Sequence, residues 1–353
     1  MGITELAKKI SKSAKGVHVS ILSESEIAKR NIWVSTPSYD LNRIITGDLF
    51  KGLPEKSLTL LCGPEASFKS SFSCICAANA QKEGYQVLLF DTEGAWSDDF
   101  AKRWGLDPEK IIVVNTLLVD DISVIMGNLI KGDDEKLFII LDSLGGLESE
   151  KLMNDAEKGD IKADQGQLQK KIKQMLKLFL GVVKYKKSIG VFTGHLYGNP
   201  SGYGAAEEVG GGKFAKLCPD IIIQLKKAKS LDKDKNVIGN LINALTVKNR
   251  FYPAFNECTV DINYRDGINK KVGMVDIASR AGFISKAGAG WMTNTVTGEK
   301  IQGEAKAEEW IDDEMLIKLN EFLKETGYST INETAKVKLE EVFEPEFIEE
   351  EIV

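Results

Sequence analysis

Short apolar runs alternate with helical patterns along the chain from residue 51 onward. Several of these runs lack the polar alternation of a strand that faces water, which is typical of strands buried on both faces of a parallel sheet. They are SLTLLCG (57–63), QVLLFD (86–91), KIIVVN (110–115), LFIILD (137–142) and SIGVFTG (188–194). Helical segments lie between them, including 69–83, which ends before Gly84, and the amphipathic 165–187. The pattern predicts an α/β fold with a mostly parallel central sheet that helices cover on both faces.

The pattern changes after residue 219, where strand-like segments follow one another without helices between them. They are DIIIQLKKA (220–228), GNLINALTVKN (239–249) and NECTVDINY (256–264). Because closely spaced strands without a helical crossover pair antiparallel, we predict an antiparallel extension at the edge of the sheet.

The two ends of the chain differ from this core in pattern. Residues 1–16 form a predicted helix rich in lysine. After Gly267 the pattern of residues predicts a small α+β region with helices near 273–281 and 307–325. The predicted domains are an N-terminal segment (1–50), a core (51–266) and a small C-terminal domain with an acidic tail (267–353).

The composition is that of an ordinary globular protein, because 43% of the residues are hydrophobic and 28% are charged. No apolar run approaches the ~20 residues of a membrane span, and the N-terminus lacks the apolar segment of a secretory signal. We therefore expect a cytoplasmic protein without a membrane partner. The five cysteines are scattered, which favours buried, reduced thiols, and the two histidines argue against a zinc site.

The net charge of −6 at first argues against a nucleic-acid partner, but the charge is unevenly distributed. Residues 340–353 contain seven Glu and no Lys or Arg, and removing those seven negative charges from −6 leaves +1. Nucleic-acid binding depends on local basic charge rather than on the total, so the composition leaves it open.

The first chemical motif follows the strand 57–63 and opens the helix 69–83. Its residues are Gly63, Pro64, Glu65, Ala66, Ser67, Phe68, Lys69 and Ser70, followed by Ser71. This is the strand–loop–helix setting of a phosphate-binding loop, in which backbone N–H groups and the positive helix end cradle phosphates. Lys69 is expected to reach the β- and γ-phosphates of ATP, and Ser70 to bind Mg²⁺. Phe68 stands where a second glycine is usual, and the alternative interpretation is a strand–turn–helix that matches the motif by chance.

Two carboxylates are expected at the same sheet edge as this loop. Asp142 ends an apolar strand roughly 70 residues after the loop, as expected for a second Mg²⁺ residue. Glu93 follows the strand 86–91 and would lie where open α/β sheets bind ligands, so it can orient and activate the attacking water. The alternative for Glu93 is a solvated loop position.

These motifs occur together in an order that resembles the RecA recombinase family. The similar stretches, within about residues 35–290, are STPSYDLNRIITGDLFKGLPEKSLTLLCGPEASFKSSF (35–72), LFDTEGAWSDDFAKRWGLD (89–107), FIILDSLGGL (138–147) and VKNRF (247–251). Phe68 in place of glycine is similar to the phage branch of that family, the UvsX type. The resemblance implies that residues 51–266 form a RecA-like ATPase core.

The resemblance implies a role for each matching residue. Ser70 and Asp142 would bind Mg²⁺, and Glu93 would be the catalytic base. Phe100 matches the aromatic position that stacks on adenine. His195 matches the residue that senses the γ-phosphate and relays to the DNA loop, and the alternative is a structural histidine at a strand end.

Other residues would act between neighbouring protomers. Lys248 and Arg250 match paired cations that reach ATP on the next protomer of a filament, as an arginine finger does. The alternative is two solvated residues on an edge strand. The segment 1–50 would support polymerisation by packing on the neighbouring core.

DNA contacts are expected from two loops, at about 148–166 and 197–213. The second loop is long and rich in glycine, and such loops are usually functional or disordered. Glycine-rich backbone offers N–H groups to phosphates, tyrosines stack on bases, and lysines neutralise phosphates. The candidate residues are Gly166, Lys170, Lys177, Tyr197, Gly198, Tyr203, Gly211, Gly212 and Lys213. The alternative is a surface lid flanked by solvated lysines.

The sequence therefore predicts a DNA-dependent ATPase that uses ATP and Mg²⁺, forms filaments on single-stranded DNA and exchanges strands with homologous duplex DNA. The expected partners are DNA, further copies of the chain, and single-strand-binding and loader proteins, in the cytoplasm of a phage-infected bacterium. Two alternatives stay open. One is a hexameric helicase with the same core, and the other is a recombination mediator or paralogue that turns over little ATP.

Overall fold

The protein is described by a computed structural model over residues 1–13, 19–25, 28–132, 135–158, 166–198, 207–210, 212–232 and 234–326. The helices are α1 (Ile3–Ser13), α2 (Tyr39–Thr46), α3 (Lys69–Lys82), α4 (Asp98–Arg103), α5 (Val119–Lys131), α6 (Glu150–Glu157), α7 (Gln167–Tyr185), α8 (Lys213–Leu217), α9 (Met274–Arg280), α10 (Glu304–Ala307) and α11 (Asp313–Thr326). The strands are β1 (Trp33–Val34), β2 (Leu53–Pro54), β3 (Leu58–Gly63), β4 (Gln86–Asp91), β5 (Ile111–Asn115), β6 (Leu137–Asp142), β7 (Ile189–Gly198), β8 (Glu207–Val209), β9 (Ile221–Leu231), β10 (Val237–Asn249), β11 (Glu257–Asn263), β12 (Gly267–Asn269), β13 (Ile284–Lys286), β14 (Trp291–Asn294) and β15 (Lys300–Gln302).

One large sheet forms the centre of the molecule. Its strand order is β12-β11-β10-β9-β3-β7-β6-β4-β5, and β8 pairs with β7. The strands from β9 to β5 in this order run parallel to their neighbours, whereas β10, β11 and β12 continue the sheet antiparallel. The predicted fold class, a mostly parallel sheet with an antiparallel edge extension, is confirmed.

The three strands of the predicted extension, β9, β10 and β11, pair antiparallel with one another, and β9 also joins them to the parallel strands. β9 pairs parallel with β3, with Thr59 opposite Ile221, so the antiparallel part begins only with β10. The reason is α8, a short helix just before β9 that provides the crossover a parallel strand needs. At five residues, α8 is too short to show a clear helical period in the sequence.

Helices cover both faces of the sheet, as predicted. Side chains of β3 alternate between the faces, so that Leu61 packs with Phe72 of α3 on one side. Leu60 packs on the other side with Ile122 of α5 and Phe179 of α7. All of these side chains are buried, which explains why the strands are apolar throughout.

The C-terminal region has its own apolar cluster, built around α9, α11 and the antiparallel sheet β13-β14-β15. The helix predicted near 307–325 begins later, at Asp313, because the Asp312 side chain accepts a hydrogen bond from the N–H of Met315 at 2.8 Å and caps the helix. The acidic tail at 340–353 lies outside the described residues. The domain boundaries stay predictions, and β12 pairs with β11 of the main sheet.

Within the described ranges, no helix combines the length and the apolar character that a membrane crossing requires.

Candidate nucleotide-binding site

The predicted catalytic and phosphate-binding residues meet at the carboxyl edge of the parallel strands. In the sheet register, Asp91 lies opposite Asp142 and Gly63 opposite His195. Ligands of open α/β sheets bind at this edge. A cavity of about 690 Å³ opens there. The site residues predicted from sequence that line this cavity are Glu65, Ala66, Ser67, Phe68, Lys69, Ser70, Ser71, Glu93, Asp142 and His195.

The phosphate loop, residues 63–70, needs glycine at its first position. A Cβ atom on Gly63 would lie 2.3 Å from the carbonyl oxygen of Leu225, closer than real contacts allow. Pro64 accepts a hydrogen bond from the Ser67 hydroxyl at 2.7 Å, which closes the turn of the loop. Lys69 begins α3, so the loop ends on the amino end of a helix, where backbone N–H groups attract anions.

Phe68 occupies a backbone conformation that favours glycine, with φ of 78°. For a residue with a side chain this costs about 1–2 kcal/mol. Its ring packs edge to face on Trp104, with centroids 5.5 Å apart, and such a pair contributes about 1 kcal/mol. The aromatic contact thus offsets part of the backbone cost of a phenylalanine at this position.

Lys69 lies over the loop with its ammonium group directed at backbone carbonyls. Its Nζ donates hydrogen bonds to the carbonyl oxygens of Gly63 at 3.1 Å and Pro64 at 2.7 Å. Burial lowers the pKa of Lys69 below its ordinary value, although the nearby charges of Asp142 and Glu93 oppose that shift. A cation held beside a phosphate loop suits an anionic ligand.

The buried carboxylate of Asp142 is held on both oxygens. Thr193 donates its hydroxyl to Oδ1 at 2.5 Å, and the indole Nε1 of Trp96 donates to Oδ2 at 2.9 Å. Ser70 lies in the first turn of α3 and lines the same cavity. Hydroxyl and carboxylate oxygens fit Mg²⁺, which is usually bound by one or two protein groups together with water and phosphate.

Glu93 lies in a turn that Asp91 organises. The Asp91 carboxylate accepts the backbone N–H groups of Glu93 at 3.1 Å and Gly94 at 2.8 Å. Oε1 of Glu93 accepts the Ser143 hydroxyl at 2.6 Å and lies 3.4 Å from Nε2 of His195. Burial alone would raise the pKa of Glu93, but these hydrogen bonds and nearby positive charge together lower it below its ordinary value. Glu93 is therefore ionised at neutral pH, as a base must be.

His195 connects this site to the second predicted DNA loop. It lies beside Gly63 in the sheet, next to Glu93, and its carbonyl oxygen accepts the backbone N–H of Gly210 at 3.3 Å. The strand continues from His195 into the pairing of β7 with β8. The position suits a residue that relays changes at the nucleotide to the loop, and the sensor role stays a prediction.

The family comparison supports the identification that this arrangement suggests. The RecA N-terminal domain family matches residues 3–269.

The chain belongs to the RecA recombinase family.

Similar proteins include the RecA proteins of three bacteria. Protein RecA of Streptomyces venezuelae is 28% identical over 269 residues, which is 74% of this chain and 68% of that protein. Protein RecA of Leptospira biflexa is 25% identical over 343 residues, which is 93% of this chain and 83% of that protein. Protein RecA of Nocardioides sp. is 29% identical over 269 residues, which is 74% of this chain and 73% of that protein. The resemblance to RecA recombinases is confirmed, and the assignment to the phage branch stays a prediction.

In this RecA-family protein, Phe100 does not line the cavity. Its ring packs edge to face on Trp96, with centroids 5.2 Å apart. The cavity wall nearby is formed instead by Arg103 and Trp104, at the end of α4. The adenine contact of Phe100 stays a prediction.

The cavity is also lined by residues that sequence reasoning missed. Lining residues from the antiparallel extension are Lys227, Asn240, Ile242, Ile262, Asn263, Tyr264, Arg265 and Gly267. They come from β9 to β12 and the turn after β11, which carry no nucleotide motif, so only the pairing of these strands on the β9 side of β3 reveals them. The available signal was an aromatic and a cationic residue, Tyr264 and Arg265, together at the end of a strand.

Lys248 and Arg250 of this RecA-family protein lie away from the cavity. β10 runs antiparallel to β9, so Asn249 pairs with Ile221, the first residue of β9, at the amino edge of the parallel strands. Nζ of Lys248 donates to the carbonyl oxygen of Leu217 at 2.7 Å. The Arg250 side chain is 61% exposed, with Nε 3.7 Å from Asp220. The fold thus separates these cations from the nucleotide site of their own protomer.

The structure describes some of the residues that were predicted to contact DNA. Gly166 and Gly212 precede α7 and α8, both with positive φ, and Lys213 is exposed at the start of α8. Only the backbone of Tyr197 and Gly198 is described, in β7. Tyr203 and Gly211 lie outside the described residues, so their roles stay predictions.

The exposed lysines of α7 form a stripe. Lys170, Lys173 and Lys177 are all exposed and lie three and four residues apart, which places them on one face of the helix. Sequence reasoning missed Lys173, although its spacing was the available signal. We call these three residues the lysine stripe.

Proposed function

We propose that this protein is a DNA-dependent ATPase that forms filaments on single-stranded DNA and pairs and exchanges strands with homologous duplex DNA. The observation that carries the proposal is that Lys69, Asp142 and Glu93 line one and the same cavity in a chain of the RecA family. A phosphate loop, oxygen ligands for a metal and an ionised base are the parts that ATP hydrolysis requires.

The chemistry assigned to this site is hydrolysis of the γ-phosphate by water. Glu93 orients the water and accepts its proton, while the Ser143 hydroxyl holds the Glu93 carboxylate in place. Lys69 and the loop N–H groups stabilise negative charge on the phosphates. Ser70 and Asp142 would hold Mg²⁺, which neutralises phosphate charge when bound.

The positions of Lys248 and Arg250 support a head-to-tail assembly. The nucleotide cavity lies at the carboxyl edge of the parallel strands, whereas both cations lie at the opposite edge. Stacking one protomer on the next would bring the amino edge of one sheet to the carboxyl edge of its neighbour. Head-to-tail contacts that do not close produce helical filaments, so the ATP site would be completed in trans.

Two exposed apolar surfaces suit the contact between protomers. α1 buries none of its side chains, and Ile3, Leu6 and Ile10 are 70%, 43% and 46% exposed. β5 is the edge strand of the large sheet, and its Ile112 and Val113 are 56% and 46% exposed. Exposed apolar edge strands and helix faces favour association, so we assign both surfaces to the filament contact.

We further assign the protein to the UvsX-type phage branch. The support is Phe68, whose contact with Trp104 shows how this loop tolerates an aromatic residue. Expression of the protein only after phage infection would support this assignment, and expression in uninfected bacteria would contradict it.

The filament proposal has a direct test. Negative-stain electron microscopy of the protein with single-stranded DNA and a non-hydrolysable ATP analogue should show helical filaments. Closed rings would indicate a hexameric helicase instead. Isolated particles would indicate a mediator that needs a partner recombinase.

The lysine stripe should contribute to DNA affinity through phosphate contacts. The test is to change Lys170, Lys173 and Lys177 together to Ala. The plot of the logarithm of the DNA association constant against the logarithm of salt concentration should become shallower by about 2 in slope, because each phosphate contact contributes about 0.7 on single strands. The measurement is a titration of fluorescent single-stranded DNA at several salt concentrations. The control is Lys318→Ala on α11, and a slope equal to wild type in the triple variant would exclude the stripe from the DNA interface.

A further inference from the structure

The loop between β4 and α4 carries a tryptophan that reaches the buried carboxylate of the cavity. The indole N–H of Trp96 donates to Oδ2 of Asp142 at 2.9 Å. The hydroxyl of Thr193, on β7, donates to Oδ1 at 2.5 Å. Each carboxylate oxygen therefore accepts one hydrogen bond, and the two donors come from different elements of the fold.

Trp96 is itself held in place. Its backbone N–H donates to Oδ2 of Asp91 at 3.1 Å, and its ring packs edge to face on Phe100 with centroids 5.2 Å apart. The other oxygen of Asp91 accepts the backbone N–H groups of Glu93 and Gly94. One loop thus carries Glu93 and also fixes the carboxylate of Asp142.

Two fixed donors determine the plane of a carboxylate. An ionised carboxylate has about four lone-pair sites, so two remain for a metal ion or its water ligands. Asp142 lines the nucleotide cavity, together with Ser70. Without the indole donor, the carboxylate keeps its charge but loses one of the two restraints on its orientation.

We propose that Trp96 is a positioning residue for Mg²⁺ in the nucleotide site. Its indole N–H holds the Asp142 carboxylate in the orientation that binds Mg²⁺ or its water shell, and links that carboxylate to the Glu93 loop. Phenylalanine has a similar apolar ring but no donor, so the role belongs to the N–H group. The inference rests on the proposed nucleotide site.

The test is the Mg²⁺ dependence of nucleotide binding by full-length Trp96→Phe. Binding of a fluorescent ATP analogue is titrated with Mg²⁺, and the affinity without metal is measured in EDTA. We expect the Mg²⁺ midpoint to rise about 10- to 100-fold, the usual effect of removing a partner of a metal ligand. The affinity in EDTA should stay at the wild-type value, because the phosphate loop is unchanged.

The chain offers a matched control. Trp310 donates its indole N–H to Oε2 of Glu299 at 2.8 Å in the C-terminal region. Neither residue lines the nucleotide cavity, so Trp310→Phe removes the same kind of hydrogen bond outside it, and its Mg²⁺ midpoint should equal that of wild type.

A second variant separates the N–H group from the shape of the ring. β-(3-Benzothienyl)alanine at position 96 keeps the shape of the indole but replaces its N–H by sulfur, so it preserves the packing on Phe100. It should raise the Mg²⁺ midpoint as Trp96→Phe does. An unchanged midpoint in this variant, or a loss of affinity in EDTA equal to that in Mg²⁺, would overturn the positioning role. Failure of the wild-type protein to bind the analogue at all would instead contradict the proposed function.

Discussion

Glu93→Gln is expected to lower ATP turnover by about 10²- to 10⁴-fold, the usual contribution of a general base. Glutamine keeps the size of the side chain and an oxygen that can accept the Ser143 hydroxyl, but it cannot take a proton from water. Nucleotide affinity should therefore stay close to wild type. The measurement is phosphate release with saturating single-stranded DNA, together with equilibrium binding of a fluorescent ATP analogue.

The control for this variant is Glu83→Gln, at an exposed position after α3 and outside the cavity. It should turn over ATP like wild type. If Glu93→Gln retained DNA-stimulated hydrolysis, Glu93 would not be the base. A loss of nucleotide affinity equal to the loss of turnover would assign Glu93 to binding alone.

The combined change of Lys248 and Arg250 to Ala is expected to lower DNA-stimulated turnover by about 10³- to 10⁵-fold, the range measured for cations supplied in trans to a phosphoryl group. Both side chains lie at the sheet edge opposite the nucleotide cavity, so they would act on the neighbouring protomer. Nucleotide binding by protomers without DNA should be unchanged. Turnover is measured as phosphate release on single-stranded DNA.

Mixing two inactive variants tests the trans arrangement. A protomer with Lys248 and Arg250 changed to Ala still has Glu93, and a Glu93→Gln protomer still has both cations. In a random head-to-tail filament of equal amounts, about a quarter of the interfaces would be complete, so about a quarter of the wild-type turnover should return. No recovery in co-filaments would show that the cations act within their own protomer or only stabilise the fold. Lys229→Ala, an exposed position on β9, is the control for loss of surface charge.

The core strands and the motifs at their ends could be predicted from sequence. The strands β3 and β6 are apolar on both faces because helices cover both sides, and this leaves a continuous apolar run in the sequence. Asp142 ends such a run, and Glu93 comes two residues after the apolar strand β4. The carboxyl ends of parallel strands meet at one edge, so the sequence alone placed them near the phosphate loop.

Residues whose positions depend on distant pairing could not be predicted. Tyr264 and Arg265 reach the cavity because β10 and β11 extend the sheet beyond β9, the neighbour of β3, and no local pattern records that proximity. The parallel pairing of β9 with β3 was not predicted, because it depends on the short crossover helix α8. Trp96 was only one residue of a family-like stretch until the structure showed its contact with Asp142.

The sequence by itself determined which residues are candidates for the phosphate loop, the base and the metal carboxylate, since each candidate lies close to a strand end. The tertiary structure decided which groups hold them and where the cations lie. Trp104 packs on Phe68, and Trp96 donates a hydrogen bond to Asp142. Lys248 and Arg250 lie at the edge of the sheet opposite to the cavity. These relations join residues that are tens of positions apart in the chain or separated by the width of the sheet, and the distances between them are set only when the strands pair.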